Sequence, residues 1–288
     1  MIDVSPAYRV RKPGRERVRE RFHSLDELRE IWAAAETLGY PFSHLYRLLI
    51  VLPNRREELA AMPLAELTLG DDSALDRGEW LLSAERTKRA NALRIPLSPL
   101  ARSIILEAIR HPDRPKSSKL VFTTTGDTPV SGYCKGKRRL DKAILEARRA
   151  RALAQGGDPA AVEPMPHWTI HDLRTTFSTH ACEILEVPPH VADRILNHVA
   201  TATRSKIMRV YNKSELFEPR RRALNAWADL LKAQVLRDPA HGCHSIEDSD
   251  PASEWLVATG PRLDHPRAEP IVTFDRSFSA LSASGSRA

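Results

Sequence analysis

Residues 169–231 read TIHDLRTTFSTHACEILEVPPHVADRILNHVATATRSKIMRVYNKSELFEPRRRALNAWADLL. The stretch predicts two helices, roughly 171–186 and 189–197, broken at Val187-Pro188-Pro189. Proline there fixes φ and removes a backbone donor. Leu173, Phe177, Ile184 and Leu185 are assigned to the core. A further amphipathic helix is predicted from Pro219 to Val235, with Leu224, Trp227, Leu231 and Val235 as its apolar stripe. His171 and Arg174 are three residues apart, so they share one helical face.

Upstream the same periodicity continues. Ser24 and Glu27 have capping-box spacing, and Leu28, Ile31, Trp32 and Ala35 line the helix they open. Gly39 is read as its stop. A second helical run, Leu45, Leu48, Leu49 and Leu52, ends at Pro53-Asn54, and a short helix follows from Asn54 to Leu59. Leu67–Leu69, Trp80–Ser83 and Leu93–Leu97 then read as short strands joined by turns at Gly70-Asp71-Asp72 and Lys88-Arg89-Ala90-Asn91. Ser98-Pro99 restarts a helix as N-cap and first-turn proline. Val121-Phe122 is a further strand candidate, and a basic helix is predicted from Ser131 to Ala154. The expected fold class is α+β, mainly α-helical, with a small antiparallel sheet.

Three segments follow from this pattern. Residues 1–23 form a basic arm carrying Arg9, Arg11, Lys12, Arg15, Arg17, Arg19 and Arg21, read as either a solvated tail or a phosphate-touching segment. Residues 24–235 form the main domain, and 236–288 a tail without sustained periodicity, expected to be disordered or loosely packed. Arg220-Arg221-Arg222 reads equally as a solvated helix start or as phosphate contacts.

The net charge of +7 and pI near 9.5 suit a polyanionic partner. Three scattered cysteines, Cys134, Cys182 and Cys243, have neither metal-ligand spacing nor a disulfide pattern, which fits a reducing, cytoplasmic setting. The N-terminus has no signal-peptide core and no apolar run is long enough for a bilayer span. His167, His171, His180 and Asp172 invite a metal reading, but His171 and His180 would lie on different helical faces. No metal and no cofactor are expected. Asp172 is assigned to the helix N-terminus and His180 to a packed or surface position.

The ordered motifs carry a resemblance. His171-Asp172-Leu173-Arg174, then Leu196-Asn197-His198, then Tyr211-Asn212 resemble the active-site region of the tyrosine recombinase, or phage integrase, family. Ala223 to Ala228 is similar to integrases that target tRNA genes. Upstream, Asn54-Arg55-Arg56-Glu57-Glu58 matches the family's Arg-x-x-Glu turn, with Leu52-Pro53 in place of the usual Thr-Gly. Thr87-Lys88 matches its hairpin lysine, ahead of a strand ending in Pro96-Leu97. The resemblance covers roughly residues 24–235.

The resemblance implies a catalytic set of Arg55, Lys88, His171, Arg174, His198 and Tyr211, supported by Glu58. Arg55 and Arg174 would clamp the non-bridging oxygens of a phosphodiester, for which planar guanidinium is suited. His198 would donate to the same phosphate, and His171 would take the proton of Tyr211, whose phenol has an ordinary pKa of about 10. Lys88 would protonate the leaving 5′ oxygen. The implied product is a 3′-phosphotyrosyl link, formed without ATP or metal, and the implied partners are double-stranded DNA at specific sites and three further copies in a tetramer. Relatives usually carry a core-binding domain first, whereas here the catalytic domain begins almost at once. That leaves open a truncated remnant that binds DNA without recombining it. A type IB topoisomerase, which uses the same residue types, is the other open reading.

Overall fold

The computed structural model describes residues 20–70, 78–87, 91–197 and 215–237. Backbone contacts divide the chain at His241, and the unit of residues 242–288 lies outside the described residues, as do residues 1–19 of the basic arm.

Helix α1 (Leu25–Glu36) starts where the sequence signals it. Ser24 Oγ accepts the Glu27 N–H at 3.1 Å, and the Glu27 carboxylate accepts the Ser24 N–H at 3.1 Å. Such a box stabilises a helix start by about 1 kcal/mol. Leu28, Ile31, Trp32 and Ala35 are buried. The helix ends at Glu36 with Thr37 as its cap, so Gly39 lies beyond the stop.

Helix α2 (Phe42–Val51) is buried on nearly every side and forms the centre of the molecule. Helices α1, α4 (Pro99–Arg110), α6 (Asp172–Glu183) and α8 (Phe217–Gln234) pack around it. Trp227 of α8 donates its indole N–H to the Ile50 carbonyl at 3.0 Å, satisfying one of the orphan acceptors in α2's last turn. The Phe177 ring meets the Trp227 ring edge-on at 5.7 Å, and His180 stacks on it at 6.1 Å. His180 is therefore a packed residue.

Strands β1 (Leu67–Thr68), β2 (Glu79–Leu82) and β3 (Leu93–Pro96) form an antiparallel sheet in that order. Trp80 pairs with Ile95 and Leu82 with Leu93; Trp80 and Leu82 are buried while Leu81 faces out, the alternation expected of a half-covered sheet. Helix α5 (Tyr133–Ala154) is long, basic and buried only along Gly136, Leu140 and Ile144. A Cβ at Gly136 would lie 2.6 Å from the Tyr46 hydroxyl, so only glycine lets α5 approach α2 this closely. Short helices α3 (Arg56–Ala60) and α7 (Pro189–Ile195) complete the described fold.

Three expectations are corrected. Val121-Phe122 is not a strand: the region forms a single bridge, Pro63 to Leu120, and the Met62 N–H that would extend it toward Val121 donates to the Leu59 carbonyl instead. Both residues are buried in irregular backbone. Ile184 is exposed, because α6 ends at Glu183 and Glu186 takes φ 51°, reversing the chain so that Val187 enters the core instead. Order also begins ahead of Ser24. His23 is fully buried, its N–H donates to Thr176 Oγ1 at 2.9 Å, and its carbonyl lies 2.8 Å from His180 Nε2. Among the described residues no helix is long and apolar enough to cross a membrane.

Candidate active site

The turn after α2 aims Arg55. Leu52 leaves the helix in extended conformation, and the Asn54 N–H folds back to the Leu52 carbonyl at 2.8 Å. The backbone itself thus makes the sharp turn at Leu52-Pro53-Asn54. Arg55 occupies the N-cap of α3, a position usually held by a short polar side chain. Glu58 does the capping from within: its carboxylate accepts the Arg55 N–H at 3.0 Å and Arg55 Nη1 at 2.9 Å. Glu58 is buried, while the Arg55 side chain is 27% exposed.

A second bracket sets the start of α6. Asp172 accepts both the Thr169 N–H at 2.8 Å and the Thr169 hydroxyl at 3.0 Å. Asp172 is buried there, at the positive end of the helix. His171 stands at the N-cap and Arg174 one turn in. Arg174 is buried and reaches across to two other segments. Its Nη1 donates to the Pro53 carbonyl, 121 residues away in sequence, and its Nη2 to the Leu196 carbonyl at 2.7 Å. One side chain thereby ties the Arg55 turn to the end of α7.

Electrostatics follow from this crowding. Burial, reinforced by the Arg55 guanidinium, pulls the Arg174 pKa down to about 10, with Glu58 opposing. The group remains a cation at neutral pH. Burial, then the Arg174 charge, hold His171 below the usual imidazole value, with Asp172 opposing. The shift favours the neutral imidazole, the form able to accept a proton.

Arg55, His171 and Arg174 line a single cleft of about 660 Å³. Its lining also holds cation–aromatic pairs: Arg56 lies over the Tyr133 ring at 4.2 Å, and Lys137 over the Trp168 ring at 3.7 Å. Arg56, Lys137 and Arg138 add to the positive charge, against Glu57 alone among the lining acids. Such a cleft attracts anions. His167 also lines it, but His180 does not, so the four-residue grouping considered for a metal is not assembled.

Lys88, His198 and Tyr211 lie outside the described residues. The segments that flank them are described. Thr87 precedes Lys88 and is buried; its hydroxyl accepts the Asn91 N–H at 3.0 Å, closing the base of the hairpin. Asn197 precedes His198 with φ 51°, a left-handed conformation that asparagine tolerates better than other side-chain-bearing residues. Glu215 and Leu216 follow the Tyr211 segment and lead into α8.

Sequence reading missed two residues that brace this arrangement. Arg86 donates Nη2 to the Glu58 carbonyl at 2.6 Å and Nη1 to Glu66, linking the hairpin to α3. Glu66 also accepts the Trp80 indole N–H at 2.8 Å. A lone arginine and a lone glutamate in turn regions carry no local signal; only proximity to Lys88 could have drawn attention to Arg86.

The model of the phage integrase family matches residues 22–215. Among solved structures, a lambda integrase fragment comprising its residues 75–356, crystallised as a dimer bound to a COC′ core site, is similar at 17% identity with a TM-score of 0.44. The match covers 67% of this chain and 63% of that one, so the chain spans less than two-thirds of that fragment. No curated protein sequence matches.

Proposed function

The chain belongs to the phage integrase family, and from that premise we propose that it is a tyrosine recombinase that cleaves and rejoins duplex DNA at specific sites. The observation that carries the reading is the convergence of Arg55, His171 and Arg174 on one cationic cleft. They come from segments more than a hundred residues apart.

Attack on a phosphodiester builds negative charge on the non-bridging oxygens. Two guanidinium groups aimed at that charge stabilise the transition state, each donor contributing on the order of 3 kcal/mol. A guanidinium has five N–H donors. Arg174 can therefore hold its two carbonyls and donate to a phosphate from the same plane. His198 adds a donor to that phosphate. Neutral His171 accepts the phenolic proton as the Tyr211 oxygen bonds to phosphorus. The bond to the 5′ oxygen breaks as Lys88 supplies a proton, leaving a 3′-phosphotyrosyl link and a free 5′-hydroxyl. The link conserves the phosphodiester's bond energy, so attack by another 5′-hydroxyl reseals DNA without ATP or metal. Glu58 orients Arg55. The biological role follows as integration or excision of a mobile element, carried out by four copies on paired DNA sites.

A selection tests this. Short nicked duplexes with a randomised centre are incubated with the full chain, and adducts stable to denaturing detergent are recovered and sequenced. One enriched site and an adduct abolished by Tyr211→Phe are expected. Absence of adduct with the native chain sinks the enzyme reading and leaves a DNA-binding protein. Adducts without site preference, together with relaxation of supercoils, would favour a topoisomerase.

A further inference from the structure

The first arginine of the Arg220-Arg221-Arg222 run is neither solvated nor available to DNA. Arg220 is 1% exposed, although it sits in the first turn of α8. Its Nε donates to the Glu215 carbonyl at 2.8 Å and its Nη1 to the Arg94 carbonyl at 2.7 Å. Its own N–H closes the turn onto the Leu216 carbonyl at 2.9 Å, with Leu216 held in the left-handed region at φ 50°. Phe217 lies against it: the Arg94 guanidinium is 4.4 Å from that ring's centre and the Arg221 guanidinium 4.9 Å. Glu79 pairs with both Arg94 and Arg221.

The two carbonyls belong to different catalytic segments. Glu215 lies four residues after Tyr211, and Arg94 lies six residues after Lys88. Between Arg94 and Lys88 the β2–β3 register, Leu82 to Leu93, and the Thr87–Asn91 closure carry the constraint. Arg220 grips backbone on both sides, so it fixes chain paths rather than side-chain rotamers. A single buried fork spans the distance between them.

We propose that Arg220 is a positioning residue that sets the Tyr211-bearing segment in register with the Lys88-bearing hairpin. The proposal rests on the assignment of nucleophile and general acid made above. It differs from a phosphate contact, because Arg220, unlike Arg174, is not among the residues lining the cationic cleft, and from a simple helix cap, which would not engage β3. Misplacing reacting groups by about 1 Å can slow chemistry by about 100-fold without weakening binding.

The experiment uses the full chain and the duplex recovered in the selection. Arg220→Met, Arg220→Lys and, as an exposed neighbour, Arg222→Gln are compared in three measurements: melting temperature, DNA affinity across a salt series, and the single-turnover rate of adduct formation at saturating DNA. The expected rate falls about 100-fold in Arg220→Met and is partly rescued in Arg220→Lys, which keeps the charge and can still reach a carbonyl. The slope of log affinity on log salt stays at the native value for both. A slope reduced by about 0.9 with an unchanged saturated rate would make Arg220 a phosphate contact and overturn the proposal. So would a native rate in folded Arg220→Met, or loss of the melting transition in both Arg220 variants. If the native chain forms no adduct, the enzyme reading falls and the proposal with it. A native adduct with an unaffected Arg220→Met rate removes the proposal alone.

Discussion

Arg55 and Arg174 bring the same guanidinium to the same cleft but are held in opposite ways. Arg55 is partly exposed and bonded to a buried carboxylate, Glu58. Arg174 is buried and bonded to neutral carbonyls on two other segments. Arg55 has a direct ion pair with Glu58; for Arg174, burial and the Arg55 charge outweigh the opposing Glu58 charge, and its pKa falls to about 10. The contrast teaches where the cleft's appetite for an anion resides. An anion seated beside Arg174 relieves both the burial of that charge and its repulsion from Arg55. Arg55 gains less, because Glu58 already answers it.

The largest test removes the buried arginine. Arg174→Ala is expected to lower adduct formation about 1000-fold. Because the Pro53 and Leu196 carbonyls lose their donor, it should also lower the unfolding free energy by about 2–4 kcal/mol. Denaturant unfolding reads the second effect; a midpoint equal to the native one would mean that the carbonyl bonds contribute nothing.

Acid probes the region packed against α6. Burial, with Arg21 next, pulls His23 down to about 4, and burial does the same to His44, helped by Arg47. These histidines bind protons more readily unfolded than folded. Their contribution is complete above pH 6.5 and is lost as pH falls through about 4. His23 alone corresponds to a loss of about 3 kcal/mol. Urea midpoints over this range should fall, and His23→Asn should flatten the fall. An unchanged profile in that variant would show that His23 is not the titrating group.

Glu58→Gln removes the compensating charge while keeping an acceptor for the Arg55 N–H. Stability should drop by about 1–2 kcal/mol. Sulfate should then raise the melting temperature more in the variant than in the native chain, since Glu58 no longer offsets the positive charge of either arginine. Equal sulfate responses would erase the distinction between the two arginines.

The smallest effect concerns the strap that Arg174 holds. Asn197 adopts φ 51° beside the Leu196 carbonyl. Asn197→Ala is expected to cost about 1 kcal/mol and Asn197→Gly close to nothing, because only alanine meets the full left-handed penalty. Equal losses on thermal unfolding would point to a side-chain role for Asn197 instead.

Much of this was legible in the chain. The Ser24–Glu27 box, the Ser98-Pro99 start, the three short strands and the His171–Arg174 spacing are local, and local patterns survive folding. Expectation failed where a local pattern met a distant constraint. Ile184 fits a helical stripe, but the chain reverses at Glu186 before that stripe can bury it. Val121 and Phe122 fit a strand, but the Met62 N–H opposite Val121 is already given to the Leu59 carbonyl, and the ladder stops at one bridge.

In the sequence by itself, the order of the motifs resembled the family, and periodicity and caps determined the helical skeleton. Both were legible because periodicity, caps and motif spacing are properties of neighbours along the chain. The tertiary structure alone decided what the long side chains do. Arg220 reads the same as Arg222 in sequence, yet one is buried on two carbonyls and the other is exposed. Arg174 reads as a phosphate ligand, yet it also joins the Arg55 turn to the end of α7. An arginine can snorkel to solvent, or it can bury where backbone carbonyls take its N–H groups and offset the cost of losing water. The choice depends on which carbonyls lie within reach, and one of each pair comes from an element more than a hundred residues away.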